Sequence, residues 1–61
     1  MNARNIIKLL QSDGWYEIKQ EGSHKQFVHA TKKGKVTVPF HGAKDIPKGT
    51  LHAILKQAGL K

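Results

Sequence analysis

The 61-residue sequence predicts an α+β domain in which two helices cover one face of a three-stranded antiparallel sheet. Apolar residues recur at helical spacing near both ends of the chain, and the middle shows the alternation typical of strands. The links between the predicted strands are so short that neighbouring strands must run antiparallel. A chain of this length has room for one small core, so we expect residues 1–61 to form a single domain.

The first helix is predicted over residues 3–12, where apolar side chains recur one turn apart. Asn2 can cap its start by accepting a hydrogen bond from a free backbone N–H. Gly14 is placed to end the helix in a left-handed conformation, with Leu10 and Trp15 in contact across the stop.

The last helix carries an apolar stripe with the same spacing, formed by Leu51, Ile54, Leu55 and Ala58. Gly59 repeats the stop signal of the first helix. The start of this helix is less well marked, because either Asp45 or Thr50 can act as its cap. Residues 41–47 are predicted to be a loop.

Strands are predicted over residues 15–21, 24–30 and 35–40. Alternation along them predicts a core-facing set made of Tyr16, Ile18, Phe27, Val36 and Val38. The opposite face is then open to solvent and is expected to carry Glu17, Lys19, Glu21, His24, Gln26, Val28, Lys35 and Thr37.

Gly22 and Ser23 form a two-residue link between the first two strands, and glycine in the first position is typical of a type II′ turn. Such a turn places Glu21 directly opposite His24, with both side chains on the open face. A carboxylate in that position favours a charged imidazole and can fix its tautomer.

The chain is strongly basic, with 11 Lys and Arg residues against four carboxylates and a formal net charge of +7. Such a field favours nucleic acid, an anionic membrane surface or an acidic protein as a partner. The absence of cysteine excludes disulfides and thiolate chemistry, and we expect a cytoplasmic protein. No apolar run is long enough to cross a membrane or to form the core of a signal peptide.

His24 is the candidate for chemistry, because histidine moves protons near neutral pH. On an open basic surface the natural substrate is a phosphodiester, and RNA carries its own nucleophile in the 2′-hydroxyl. A nearby lysine such as Lys19, Lys25 or Lys35 can stabilise the charged transition state. The alternative is that His24 is an ordinary surface residue.

Phosphate contacts are expected from basic residues in several predicted elements, although each of them can also be a solvated surface charge. The candidates are Arg4, Lys19, Lys25, Lys32, Lys33, Lys35 and Lys44. No cofactor or metal is expected, since His24, His29 and His41 have no carboxylate at ligand spacing. Aromatic residues that could stack on bases are scarce, because the four in the chain are mostly expected to be structural, so sequence-specific reading of single-stranded bases is not evident.

Short motifs with a common order extend over nearly the whole chain. They are Gly14-Trp15, Gly22-Ser23-His24 with Phe27, Val36-Thr37-Val38-Pro39, Pro47-Lys48-Gly49-Thr50-Leu51 and Leu55-Lys56-Gln57-Ala58-Gly59. Together they closely resemble the HicA toxin family. The resemblance implies a fold like that of a double-stranded-RNA-binding domain, cleavage of mRNA that arrests translation and growth, and a HicB antitoxin as partner. It places the catalytic histidine at His24, with Gly22 and Ser23 as positioning residues, and it names no acid partner.

Three other functions remain open at this point. A non-catalytic RNA-binding module shares the fold and the charge. A DNA-binding regulator is disfavoured, because a sheet separates the two helices and no helix-turn-helix can form. A protein-interaction domain would bind an acidic partner and have no affinity for nucleic acid.

Overall fold

The computed structural model describes residues 1–41 and 44–61. Its elements follow the predicted order and confirm the α+β fold class. They are α1 (Ala3–Ser12), β1 (Trp15–Glu21), β2 (His24–His29), β3 (Val36–Pro39) and α2 (Lys48–Gln57). Neither helix in these two ranges has the length and apolarity needed to cross a membrane.

Both helices end as their glycines predict. Gly14 has φ +101° after α1, and its N–H donates to the carbonyl of Gln11. Gly59 has φ +72° after α2, and the next N–H, that of Leu60, donates to the carbonyl of Leu55 at 2.9 Å. Together with the hydrogen bond from the N–H of Gly59 to the carbonyl of Lys56 at 3.1 Å, this forms a Schellman stop. At the start of α1, Asn2 Oδ1 accepts from the N–H of Asn5 at 3.0 Å, as predicted.

The start of α2 differs from both alternatives that the sequence offered. Pro47 occupies the cap position, and no side chain caps the helix. Asp45 instead pairs with Asn2 in an isolated antiparallel bridge, next to the hydrogen bond from Ile46 N–H to the carbonyl of Met1. Ile46, which the sequence assigned to a loop, is buried in the core. The N-terminus therefore holds the segment that leads into α2.

The sheet has the order β1-β2-β3 with both pairs antiparallel. Its buried side chains all lie on one face, where they form a single cluster with residues of the two helices. The members of this cluster are Ala3, Ile6, Leu10, Trp15, Phe27, Val36, Val38, Ile46, Ile54 and Ala58. Both helices therefore pack on the same face of the sheet.

The predicted core assignment of β1 is wrong at two positions. Tyr16 and Ile18 are 52% and 50% exposed, whereas Trp15 is buried. The register explains the difference: Glu17 pairs with Phe27 and Lys19 pairs with Gln26, so Ile18 is an extra residue at a β-bulge. A bulge reverses the alternation along a strand, and an unbroken period of two could not describe both halves of β1.

The open face follows from this register. Three rows of paired residues cross it: Glu21–His24–Pro39, Lys19–Gln26–Thr37 and Tyr16–Val28. Six of the eight residues expected on this face lie in these rows. Glu17 instead pairs with buried Phe27, and Lys35 precedes β3.

Candidate functional site

His24 is the first residue of β2, directly after the Gly22-Ser23 turn. Gly22 has φ +59°, whereas Ser23 does not have a positive φ, since all positive φ angles in the described residues belong to glycines. A positive φ at the first turn residue alone fits the predicted type II′ turn. The carbonyl of Ser23 accepts a hydrogen bond from the N–H of Phe40 at 2.6 Å. The turn that presents His24 is therefore tied to the end of β3.

Glu21 lies opposite His24, as the turn geometry predicted. Its carboxylate, however, contacts the next row of the open face. Glu21 Oε1 accepts a hydrogen bond from Gln26 Nε2 at 3.1 Å and lies 3.4 Å from Lys19 Nζ. The side chain of His24 is exposed beside this network, and nothing covers it on the open face of the described structure.

Lys19 and Lys25 are both close to His24 in sequence or pairing but lie on opposite faces of the sheet. Lys19 is on the open face with 60% of its side chain exposed. Lys25 points to the helix-covered side, where its Nζ lies 3.1 Å from both Glu17 Oε1 and Gln20 Oε1. The same Nζ lies 5.1 Å from the centre of the Phe40 ring. The geometry does not support a contact between Lys25 and a phosphate bound at His24.

Two further basic residues, Arg4 and Lys44, lie at the same end of the fold as His24. The carbonyl of Ser23, next to His24, accepts a hydrogen bond from the N–H of Phe40, and the carbonyl of His41 accepts one from the N–H of Lys44. Asp45, the following residue, pairs with Asn2 just before the start of α1. Lys33 and Lys35 belong to the β2–β3 connection at the opposite end of the sheet. All four side chains are exposed.

The opposite end of the fold is held by a polar network around His29. The Nδ1 atom of His29 accepts from the backbone N–H groups of Thr31 and Lys32 at 3.0 and 3.2 Å. Since Nδ1 is an acceptor, the ring proton resides on Nε2, which donates to the carbonyl of Asp13 at 2.6 Å. The ring also meets Trp15 edge to face at 5.3 Å. Both ring nitrogens of His29 are thus engaged within the protein.

Asp13 and Lys32 complete this network. The Nζ of Lys32 pairs with Asp13 Oδ2 and donates to the carbonyl of Ala58 at 3.0 Å. Trp15 Nε1 donates to the same carboxylate oxygen at 3.2 Å. The hydrogen bond from Lys32 holds the pKa of Asp13 below its ordinary value. We call Asp13, Trp15, His29 and Lys32 the clamp, because they join the ends of α1 and α2 to the sheet.

Two residues discussed above for other roles, Lys32 and His29, belong to the clamp. Lys32 was expected at a phosphate, but its ammonium group is held by Asp13 and Ala58. His29 was considered as a metal ligand with His24 and His41. In residues 1–41 and 44–61, no three side chains of the ligand types His, Cys, Asp and Glu are grouped as a metal site.

Comparison with known proteins identifies the family. A family profile described as "HicA toxin of bacterial toxin-antitoxin" matches residues 3–60. The chain belongs to the HicA toxin family. A chain in a solved structure described as a toxin–antitoxin complex from Streptococcus pneumoniae is 33% identical to it, with a TM-score of 0.81 and coverage of 98% of both chains. The search of curated proteins found no match.

Two surface grooves of this HicA toxin are lined by residues other than His24. One groove of about 260 Å³ runs between β3 and α2 and is lined by residues such as Val36, Thr37 and Ile54. Another lies on the outer side of α2, next to His52 and Lys56. His24 is exposed on the uncovered face of the sheet and lines neither groove, which suits a chemical group carried by a long polymer better than a small molecule.

Proposed function

We propose that this HicA toxin is an endoribonuclease that cleaves mRNA, with His24 as general acid or base. The observation that carries the proposal is the exposed imidazole on the open face, presented by the Gly22-Ser23 turn of a +7 protein. Gly22 and Ser23 act as positioning residues, because the turn fixes where β2 begins. In this proposal residues 1–61 act as one ribonuclease domain.

The cleavage chemistry needs no bound cofactor. The 2′-oxygen of RNA forms a bond to the adjacent phosphorus while the bond from phosphorus to the 5′-oxygen breaks, leaving a 2′,3′-cyclic phosphate and a 5′-hydroxyl. One proton leaves the 2′-hydroxyl and one reaches the departing 5′-oxygen. His24 performs one of these two transfers. Lys19, on the same face, stabilises the charge that develops on the phosphate oxygens.

Binding of the RNA backbone is assigned to exposed cations. Arg4, Lys19 and Lys44 lie on the open face or at the His24 end of the fold, and Lys33 and Lys35 extend the basic surface to the other end. Such contacts give affinity and position the strand without reading its sequence. Lys25 and Lys32 are left out, because Lys25 points to the helix-covered side and Lys32 is held between Asp13 and the carbonyl of Ala58. Lys19 is kept, since 60% of its side chain is exposed on the open face although its ammonium group also pairs with Glu21.

The proposed partner is a HicB-type antitoxin that binds the toxin and covers His24. Two observations support it: the chain belongs to a family of toxin–antitoxin systems, and a similar chain has been solved in such a complex. Its cleavage of mRNA would place this toxin in the cytoplasm, where it arrests translation and growth until the antitoxin binds.

The decisive experiment compares RNA cleavage by wild type and His24→Ala in the presence of EDTA. We expect wild type to cleave RNA and to leave intact the same oligonucleotide with 2′-O-methyl groups, which lacks the nucleophile. His24→Ala should lose cleavage by about 10²- to 10⁴-fold, the usual contribution of a general acid or base. His52→Ala is the matched control, since His52 is exposed on α2 away from the open face.

Two results would contradict the proposal. Cleavage by His24→Ala at the wild-type rate would remove His24 from the chemistry. RNA binding without cleavage by wild type would favour the alternative, a module that blocks translation by occupying mRNA. Expression without antitoxin provides the cellular test, in which wild type arrests growth and His24→Ala does not.

A further inference from the structure

Tyr16 is an exposed aromatic residue on the same face as His24. The bulge in β1 places it there, paired with Val28 and 52% exposed. It contributes little to the core, where Trp15 and Phe27 are the large buried aromatic residues. It is also the only tyrosine in the chain. An aromatic side chain that does not hold the fold together is available for contact with a ligand.

The open face arranges three kinds of side chain along one direction. His24 lies at one end, Lys19 and Gln26 lie in the middle row, and Tyr16 and Val28 form the last row. Val28 in the last row lies four positions after His24 along β2, which corresponds to about 13 Å at about 3.3 Å per residue. A few nucleotides of single-stranded RNA cover that distance.

We propose that the ring of Tyr16 stacks on an unpaired base of the RNA a few nucleotides from the cleaved phosphate. The inference rests on the proposed ribonuclease function and adds a base contact to it. Proteins that bind single-stranded RNA combine cations for the backbone with aromatic rings for the bases. Here Lys19 provides the cation between the acid–base group and the ring, and Gln26 and Thr37 provide hydrogen-bonding groups.

The small apolar area next to a cation favours RNA over a protein as the occupant of this face. The chain carries +7, and the cation Lys19 lies between the apolar row and His24. The apolar part is small, since it consists of Tyr16 and its partner Val28. A base with its phosphate matches both the aromatic and the cationic part of this arrangement.

The first test observes the ring directly in the wild-type protein. A 2′-O-methyl RNA oligonucleotide serves as the probe, because it cannot be cleaved through the 2′-oxygen. Because Tyr16 is the only tyrosine, its ring protons can be recognised in the NMR spectrum by residue type alone. Stacking predicts an upfield shift of these signals that saturates with RNA concentration. Saturated RNA binding with unchanged ring signals would overturn the proposal.

The second test separates binding from chemistry. Tyr16→Ala should weaken RNA binding by about 5- to 150-fold, the range measured when a stacked aromatic residue is replaced by alanine. The loss should appear in KM, with little change in kcat, and Tyr16→Phe should restore it because phenylalanine keeps the ring. Ile18→Ala is the matched control, since it shortens a neighbouring half-exposed apolar side chain without removing a ring.

An abasic nucleotide moved along the oligonucleotide locates the contact. One position should weaken binding to wild type and have no further effect on binding to Tyr16→Ala. A Tyr16→Ala protein that binds RNA like wild type but binds the HicB-type antitoxin more weakly would overturn the proposal and assign this face to the protein partner. Failure of the proposed ribonuclease function is distinguishable, because wild type would then not cleave RNA at all.

Discussion

His24 and His29 lie five residues apart on β2 and have opposite roles. His29 faces the helix-covered side, where its two ring nitrogens are hydrogen bonded to Asp13, Thr31 and Lys32. His24 faces solvent, and the carboxylate opposite it is occupied by Lys19 and Gln26. The residue type is the same, so the number of internal partners decides which histidine is structural and which is available for a substrate.

The same contrast separates the two ends of the fold. At the clamp end, the polar side-chain groups form hydrogen bonds between elements that are distant in sequence, such as the one from Lys32 to the carbonyl of Ala58. At the His24 end, side-chain contacts join neighbouring strands, as between Glu21 and Gln26, and a backbone hydrogen bond joins Ser23 to Phe40, while the imidazole of His24 remains exposed. One end therefore maintains the fold, while the other presents groups to solvent.

Gly14→Ala should have the largest effect on the clamp. A Cβ at this position would lie 2.7 Å from Nε2 of His29, and the backbone has φ +101°, which disfavours any side chain. We expect a loss on the order of 3 kcal/mol in the free energy of unfolding. That is a large share of the roughly 3–9 kcal/mol expected for a domain of this size.

Urea denaturation measures this loss, with Gly49→Ala as the control. Gly49 lies in α2 with open space where its Cβ would be placed, so alanine should stabilise the protein slightly, by about 0.5–1 kcal/mol. If both variants had the stability of wild type, the close approach of Gly14 to His29 would not matter to the fold.

Lys32→Met should have a smaller effect on the same end. It removes the ion pair with Asp13 and the hydrogen bond to the carbonyl of Ala58 but keeps the apolar stem. We expect a loss of about 1 kcal/mol, since the pair is only partly buried. Lys33→Met makes the same change in charge at an exposed neighbour and should change the free energy of unfolding by less than about 0.5 kcal/mol.

The pair between Asp13 and Lys32 also predicts a pH dependence. Folding lowers the pKa of Asp13 from its ordinary value of 3.8, mainly through the hydrogen bond from Lys32. The resulting stabilisation is present above that value and is lost as the pH falls below it. The free energy of unfolding, measured by circular dichroism at a series of acidic pH values, should therefore fall less steeply with decreasing pH in Asp13→Asn than in wild type. Asp45→Asn controls for the change in net charge, and an equal effect of both variants would argue against the clamp.

Lys19 and Lys25 allow a test of whether an exposed lysine on the open face contacts phosphate while a lysine held by other side chains does not. Lys19→Met should weaken RNA binding. It should also reduce the slope of the logarithm of the binding constant against the logarithm of salt concentration by about one, the contribution of one phosphate contact. Lys25→Met should leave the salt dependence unchanged, because its ammonium group is held by Glu17 and Gln20. A reduced salt dependence in Lys25→Met would show that this network opens when RNA binds.

The sequence predicts the features that depend on neighbouring residues. The helix stops at Gly14 and Gly59, the cap at Asn2 and the turn at Gly22-Ser23 are local, and each is found where expected. The bulge at Ile18 is not local, because it depends on how β1 pairs with β2. That single extra residue moved Tyr16 from the expected core to the open face.

The candidate site was predictable in part, for the same reason. The position of His24 follows from the turn and from strand alternation, and the family motif marks it independently. The engagement of Lys32 was not predictable, since its partners Asp13 and Ala58 lie 19 and 26 residues away in sequence. A lysine in a loop has the same appearance in a sequence whether its ammonium group is free or paired.

The most direct test of the different roles of the two histidines measures two quantities for two variants. His24→Ala and His29→Ala are each examined for the free energy of unfolding and for the rate of RNA cleavage at a temperature where both are folded. We expect His24→Ala to lose cleavage while its stability stays within about 0.5 kcal/mol of wild type. His29→Ala should lose about 2 kcal/mol of stability and retain cleavage. Full cleavage by His24→Ala, together with loss of cleavage in folded His29→Ala, would contradict the account.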